Sequence, residues 1–513
     1  MRFCIGLGAW ALLAAVRVGF GAERPNVLFI AVDDLRPDVG CYGVPHVHTP
    51  SIDRLAANGV VFRRAYCQQA VCSPSRTSLL TGLRPDTTRI YDLNTHFRKT
   101  VPDAVTLPEH FKRHGYHTQA LSKIFHGDLD DPQSWSVPRW APDAPPYGNP
   151  DTIAAMEALQ RKARAEGRAV GSKVTERDPK TGIPLHIRRY PRINGPSWEA
   201  ADVPDNGLAD GKTADRAIHV LREIREKPFF LAVGFLKPHL PFVAPKKYFD
   251  LYPPEAIRLA GNPNPPEDVP SPAMHDSSEL RSYSDIPKSG PIPNDKARAL
   301  IRAYRAATSY TDAQIGRVLD ELDHLGLAGK TIVVLWGDHG WSLGEHGLWC
   351  KHTNFEDSTR SLLIVRAPGA ARGGTQTDAL SEFVDIYPTL CDLAGLPIPG
   401  GLEGASFAPV LAQPDRPWKN AAFSQYPRGK LMGYSIRTDR YRYTEWAEPG
   451  AKPVGVELYD HRNDPGENVN LANRPAQQAL VRELAEQLHA GWRKARPESA
   501  GAITRPAGAA TGQ

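Results

Sequence analysis

The chain has 513 residues, 41% of them hydrophobic and 23% charged, and carries a net charge of +5. That balance excludes a disordered chain and leaves ample apolar material for a large core. So mild a positive excess, without a dense Lys/Arg block, also excludes a nucleic-acid binder. The length predicts one large α/β domain with an appendage, or two domains.

The chain opens "MRFCIGLGAWALLAAVRVGFGAERPN". One Arg precedes an apolar run from Phe3 to Val16, and small residues follow around Gly19–Ala22. This pattern predicts a signal peptide over residues 1–22 and export to the periplasm or beyond the cell. The run is shorter than the roughly 20 residues of a membrane span, and no later segment is apolar enough, so no transmembrane anchor is expected. Cys4 falls in the signal, leaving Cys41, Cys67, Cys72, Cys350 and Cys391. An odd number means that at least one is unpaired or altered. One or two disulfides remain open, and no C-x-x-C pair offers a zinc site.

The first element is "PNVLFIAVDD", where the run Val27–Val32 ends abruptly in Asp33 and Asp34. Continuous apolarity bounded by polar residues predicts a strand covered on both faces, as in a parallel sheet flanked by helices. "VCSPSRTSLLTG" (71–82) runs from a cysteine into a helix-like stretch. Residues 131–212 are irregular, with Trp, Pro and a basic segment, and predict a lid or specificity wall. "TADRAIHVLREIRE" then predicts a helix with Thr213 as N-cap and Ala214, Ala217, Ile218, Leu221 and Ile224 on one face. A second buried strand is expected at 229–235, followed by a Pro-, Asp- and Ser-rich stretch over 251–295. One long helix, straight or kinked, is expected over 296–326, with further strands in "TIVVLWGDHG" (331–340) and "SLLIVRAPG" (361–369). This alternation implies a doubly wound α/β sandwich with a mostly parallel sheet. After the loop at 395–401 come two alternating strand patterns around a turn (432–446), a short strand (456–460) and an amphipathic helix (475–492). Together they predict a small antiparallel sheet with one helix.

In a parallel sheet, ligands bind beyond the carboxyl ends of the strands. Three strand ends there carry chemistry: Asp33-Asp34, Asp338-His339, and Lys237 with His239 in "LKPHLPF". Carboxylates converging from distant strands repel one another and need a cation. Hard oxygen donors point to Ca²⁺ or Mg²⁺, with His339 an unusual ligand for calcium.

"CSPSRTSLLTG" matches the sulfatase signature C-x-P-S-R-x-x-x-L-T-G throughout. "PNVLFIAVDDLRPDVGCYG", "SKIFH", "KPHLPF", "GDHGWSLGEHGLWCKHTNFE" and "ELYDHRNDPGENVNL" follow in the order seen in the iduronate-2-sulfatase branch of that family, which the chain therefore resembles. The Asp338-His339 pair, where many other sulfatases have Asp-Asn, favours the same branch. The resemblance implies an alkaline-phosphatase-like α/β/α sandwich over 23–395, a C-terminal subdomain over 396–500, and a disordered tail over 501–513. It implies that Cys72 is oxidised to formylglycine by a maturation enzyme during export, so that a geminal diol stands where a thiol is encoded. It also implies one divalent cation, Ca²⁺ before Mg²⁺, held by Asp33, Asp34, residue 72, Asp338 and His339.

Arg76, one helical turn after Cys72, is expected beneath position 72 to hold the hydrate. Lys123, His126, His239 and Lys351 resemble the family's sulfate-binding and proton-transfer residues, with Lys123 and Lys351 on the sulfate, His239 as acid with Lys351 in support, and His126 as base. His346 and His352 read as ordinary packed or surface histidines, and Cys350 as packing. The implied activity is exo-acting removal of 2-O-sulfate from uronate residues of heparan- or dermatan-type chains, with the basic 161–190 segment facing the uronate carboxylate. The rivals are a phosphomonoesterase or phosphonate hydrolase on the same fold, and a glycan-binding protein without turnover.

Overall fold

The apolar run Asn26–Val32 forms strand β1, buried at every position, at the centre of a seven-stranded sheet in the computed structural model. The structure describes residues 24–190 and 193–497. The expected signal peptide, Cys4 and the expected tail from 501 lie outside them. The other strands are β2 (Val60–Phe62), β3 (His117–Ser122), β4 (Phe229–Phe235), β5 (Thr331–Gly337), β6 (Leu363–Arg366) and β7 (Thr375–Thr377). Their order is β7-β2-β6-β5-β1-β4-β3. All run one way except β6, which is antiparallel to both of its neighbours. The 361–369 run is therefore a strand as expected, but a reversed one.

Alternation along β1 divides the core. Val27, Phe29 and Ala31 pack in one layer with Leu79 and Leu80 of helix α2 (Cys72–Thr81). Leu28, Ile30 and Val32 pack in the other. There they meet α1 (Pro50–Ala57), α4 (Ala209–Ile224) and α5 (Asn294–His324) through Leu55, Val220, Leu221, Val318 and Leu322. Each such buried side chain contributes about 1.5–3 kcal/mol, so β1 is held from both faces. Helix α4 begins four residues before the expected cap. Thr213 lies inside it and donates its hydroxyl back to the Ala209 carbonyl, so it caps nothing. Helix α5 is one continuous element of 31 residues.

The 131–212 stretch has more order than its composition suggests. It holds helix α3 (Pro150–Ala165) and a hairpin, Lys173–Arg177 with Pro184–Arg189. The C-terminal part is a four-stranded antiparallel meander, β8 (Ala421–Arg428), β9 (Leu431–Thr438), β10 (Tyr441–Ala447) and β11 (Gly455–Asp460). Helix α6 (Gln478–Ala490) packs on it through Leu484. Strand β8 was not foreseen; its outer residues lack the alternation that marks β9 and β10. No described helix is long and apolar enough to cross a membrane.

Register is what builds the site. Val32 pairs with Gly337 on one side and Phe235 on the other, and Ser122 pairs with Gly234. Four neighbouring strands thus end at one level, and whatever follows them is delivered to one place. Gly234 permits this closeness, since a Cβ there would stand 2.2 Å from the Lys123 carbonyl oxygen.

Candidate active site

Asp33 and Asp34 follow β1, Asp338 and His339 follow β5, Lys123 follows β3, and the loop to His239 follows β4. Asp33, Asp34, Asp338 and His339 are fully buried. Cys72 is the first residue of α2, whose N-terminus meets them, so backbone N–H groups and the positive end of the helix face the cluster. The Cys72 Sγ lies 3.5 Å from His339 Nε2, 3.8 Å from Lys123 Nζ and 3.9 Å from Asp34 Oδ1. Burial and the nearby Asp33 push the Cys72 thiol well above the usual range. As encoded, the side chain is a neutral thiol and a poor nucleophile.

Arg76 binds the strand ends together. Its Nε donates to Asp338 at 2.9 Å and its Nη2 to Asp33 at 3.0 Å, while Nη1 donates to the Lys123 and Ile124 carbonyls at 2.7 and 3.1 Å. One turn of helix does bring Arg76 under residue 72, but its hydrogen bonds go to the carboxylates and the β3 exit. Burial works to raise Asp33, yet Lys123, His239 and Arg76 outweigh it and hold it well below the usual carboxylate range. Asp34 goes the other way: burial and the charges of Asp33, Glu279 and Asp338 raise it well above that range, against Lys351. Backbone strain gathers here too. Asp34, Ser122, Cys350 and His352 all adopt positive φ, of 59°, 61°, 75° and 82°. Such backbone costs of order 1–3 kcal/mol per residue, and it is kept where surrounding structure over-determines it.

The donor set fits a divalent cation. His339 Nδ1 is 2.9 Å from the Gly340 carbonyl, which only accepts, so Nδ1 carries the proton. Burial holds this histidine down to about 4. Its Nε2 therefore turns a lone pair toward Asp34 Oδ1 at 3.3 Å and Asp338 Oδ1 at 3.6 Å. Lone pair against carboxylate is repulsive unless a cation stands between them. Ligand atoms of Asp34, residue 72, Asp338 and His339 all lie within 4.8 Å of one another, as do those of Asp33, Asp34, residue 72 and His239.

With that geometry, the likenesses to known proteins are decisive. The Sulfatase family model matches residues 25–396. The chain belongs to the sulfatase family. It is a sulfuric ester hydrolase, from a family whose enzymes use a metal and a formylglycine. A second model, the C-terminal part of N-sulphoglucosamine sulphohydrolase, matches residues 344–494. The chain is 35% identical to iduronate 2-sulfatase of Mus musculus, over 94% of this chain and 98% of that one. Its fold is that of a protein solved in complex with its substrate D-glucosamine-2-N,6-O-disulfate (TM-score 0.69, 22% identity, 93% and 100% of the two chains). It is equally that of the phosphonate monoester hydrolase from Silicibacter pomeroyi (TM-score 0.70, 24% identity, 93% and 96%). These last two likenesses bear out the alkaline-phosphatase-like sandwich.

The remaining expected residues of this sulfatase surround the same point. Lys123 Nζ is ion-paired with Asp33. Lys351, 2% exposed, donates to Asp34 Oδ1 at 3.1 Å and to Glu279 at 2.8 Å, and lies over the Trp341 ring. His239 Nδ1 is 2.5 Å from the Leu240 carbonyl, which leaves Nε2 free, 3.6 Å from Glu279 and 3.8 Å from Asp34. Burial lowers His239 to about 4. His126 is held well below its usual range by burial and by Lys123, and its Nδ1 has no hydrogen-bond partner among the described residues. Lys237 does not reach the cluster. Its Nζ donates to the His239 and Pro241 carbonyls at 2.7 and 2.6 Å and braces the loop that presents His239.

Glu279 and His352 are the residues that sequence reasoning missed or set aside. Glu279 sits in the Pro- and Ser-rich 251–295 stretch, with no local signal to mark it. His352 bonds to Glu279 and to Tyr426 and is no surface histidine. His346 is buried against Phe355, as expected. The five described cysteines are free, so neither possible disulfide is formed. A cavity of about 870 Å³ opens over Asp33, Lys123, His239 and Glu279. One face of α3, Ile153, Met156, Glu157, Gln160 and Arg164, walls it, so the insertion stands where a specificity wall is needed.

Proposed function

We propose that this sulfatase removes the 2-O-sulfate from a terminal uronate residue of a heparan- or dermatan-type chain, after export and with residue 72 matured to formylglycine. The observation that carries the reading is residue 72 at the N-terminus of α2, its Sγ within 4 Å of Asp34, Lys123 and His339. The likeness to iduronate 2-sulfatase over almost the whole chain supports the substrate.

The sulfur stands in for the oxygens of an aldehyde hydrate. Such a hydrate supplies the nucleophilic oxygen, and its second hydroxyl lets sulfate depart with the aldehyde restored. A divalent cation, Ca²⁺ before Mg²⁺, would be held by Asp33, Asp34, Asp338, His339 and residue 72; when bound it neutralises sulfate oxygens and polarises the attacking hydroxyl. Lys123 and Lys351 bracket the sulfate position and meet its charge. His239 is the acid for the leaving sugar oxygen: its Nε2, which faces the cavity, takes up a proton as the anionic substrate binds and passes it to that oxygen, with Lys351 beside it. His126 stands on the Lys123 side as the base for the return step. Arg76 keeps the carboxylates in place.

Sulfate release from a panel of defined sulfated disaccharides tests the substrate. The expected result is release from a non-reducing 2-O-sulfated uronate; activity on another sugar with none on this one overturns the assignment. Mass spectrometry of the tryptic peptide Ala65–Arg76 tests the chemistry. An unmodified thiol in a fully active preparation overturns the mechanism.

A further inference from the structure

Glu279 lies at the junction of the catalytic floor and the C-terminal sheet. It comes from the helical turn Ser278–Arg281, and its side chain is 23% exposed, toward the cavity. Its Oε1 accepts from Lys351 Nζ at 2.8 Å and stands 3.6 Å from His239 Nε2. Its Oε2 is 3.0 Å from His352 Nε2, and the other nitrogen of that ring is 2.6 Å from the Tyr426 hydroxyl, on β8.

The direction of this chain of bonds follows from its ends. A carboxylate only accepts, so His352 Nε2 carries a proton; in the neutral ring Nδ1 then accepts from the Tyr426 O–H. Glu279 thereby fixes the tautomer of His352, Tyr426 holds the orientation of its ring, the ring in turn holds the Glu279 rotamer, and Glu279 holds Lys351. The backbone is pinned in parallel. Lys351 sits between Cys350 and His352, both at positive φ, and Arg428 of β8 donates to the His352 carbonyl at 2.7 Å. Both oxygens of Asp34, at 3.1 and 3.2 Å, and Glu279, at 2.8 Å, accept from the Lys351 Nζ and fix its place.

We propose that Glu279 is a positioning residue for leaving-group protonation, holding Lys351 and His239 at the ester oxygen, and that the C-terminal sheet sets it through Tyr426 and His352. The proposal rests on the roles given above to His239 and Lys351. It explains why the C-terminal sheet, none of whose described residues lines the cavity, is packed against the centre.

The test compares two esters on one enzyme. A sugar alkoxide needs a proton to leave, whereas a 4-nitrophenolate does not. Glu279→Gln is expected to lower kcat on the sugar sulfate by about tenfold or more, with KM changed less than about threefold, and to lower kcat on 4-nitrophenyl sulfate by less than about threefold. Tyr426→Phe is expected to give the same selective loss, about threefold. The double variant should then be no slower than Glu279→Gln alone, because both act on one chain of contacts. Equal losses on the two esters, or losses that multiply in the double variant, overturn the proposal. Should Glu279→Gln not fold, Tyr426→Phe on the two esters decides by the same criterion. The sugar ester is whichever panel member the wild type hydrolyses, so a wrong substrate assignment changes the ester and not the comparison.

Discussion

The floor and the wall of the cavity are built by opposite means. The floor is set by strand ends locked in register. Asp33 and Asp338 are 0% exposed, they come from sequence positions about three hundred residues apart, and one buried arginine ties them together. The wall is one helix from an insertion, most of whose charged side chains are exposed. Arg161, Arg168 and Lys173 make ion pairs in open solvent, each worth about 0–1 kcal/mol. The floor thus sits where displacement is expensive, and the wall where sequence change is cheap.

That contrast can be broken at four points. Cys72→Ser should abolish steady-state sulfate release, by at least about a thousandfold, with the fold intact by circular dichroism, since a serine cannot restore an aldehyde. Full turnover in that variant would show that the floor does not work through residue 72. Arg76→Ala should destabilise the protein by about 3–5 kcal/mol in denaturant unfolding, because it leaves Asp33 and Asp338 buried without their partner. A loss below about 1 kcal/mol would mean that the strand ends do not need the clamp. Dialysis against a chelator should lower activity by about tenfold or more and lower the melting temperature, with Ca²⁺ restoring both; unchanged activity in demonstrably metal-free protein would remove the cation from the floor. Arg164→Ala, on the wall, should raise KM for an anionic disaccharide by about two- to fivefold and leave kcat on 4-nitrophenyl sulfate untouched. An equal effect on both esters would place Arg164 with the floor.

Much of the floor was legible because its residues announce themselves locally. Asp33-Asp34 and Asp338-His339 follow apolar strands, and Cys72 and Arg76 share a signature at helical spacing. Lys123, His126, His239 and Lys351 carry weak signals of their own and were reached through the resemblance. Glu279 and His352 were not legible as functional residues: a glutamate in a proline-rich loop and a histidine beside a lysine look like any others. Their significance lies in contacts with Tyr426 and Lys351, which no local pattern encodes. The same holds for α3 and its hairpin, where interrupted periodicity hid ordered elements, and for Thr213, whose hydroxyl bonds to its own helix.

Local pattern alone determined that β1, β4, β5 and β6 are buried strands, that they belong to an α/β sandwich, and that one cysteine stands in the sulfatase signature; β2, β3 and β7 went unread. Those are matters of periodicity and short-range spacing, which a linear chain carries in full. Only the tertiary structure decided that β6 runs backwards, that Arg76 clamps carboxylates from two strands, that the five described cysteines stay free, and that the C-terminal sheet reaches Lys351 through His352 and Glu279. Each depends on which distant groups meet, and that is settled by packing and register across hundreds of residues.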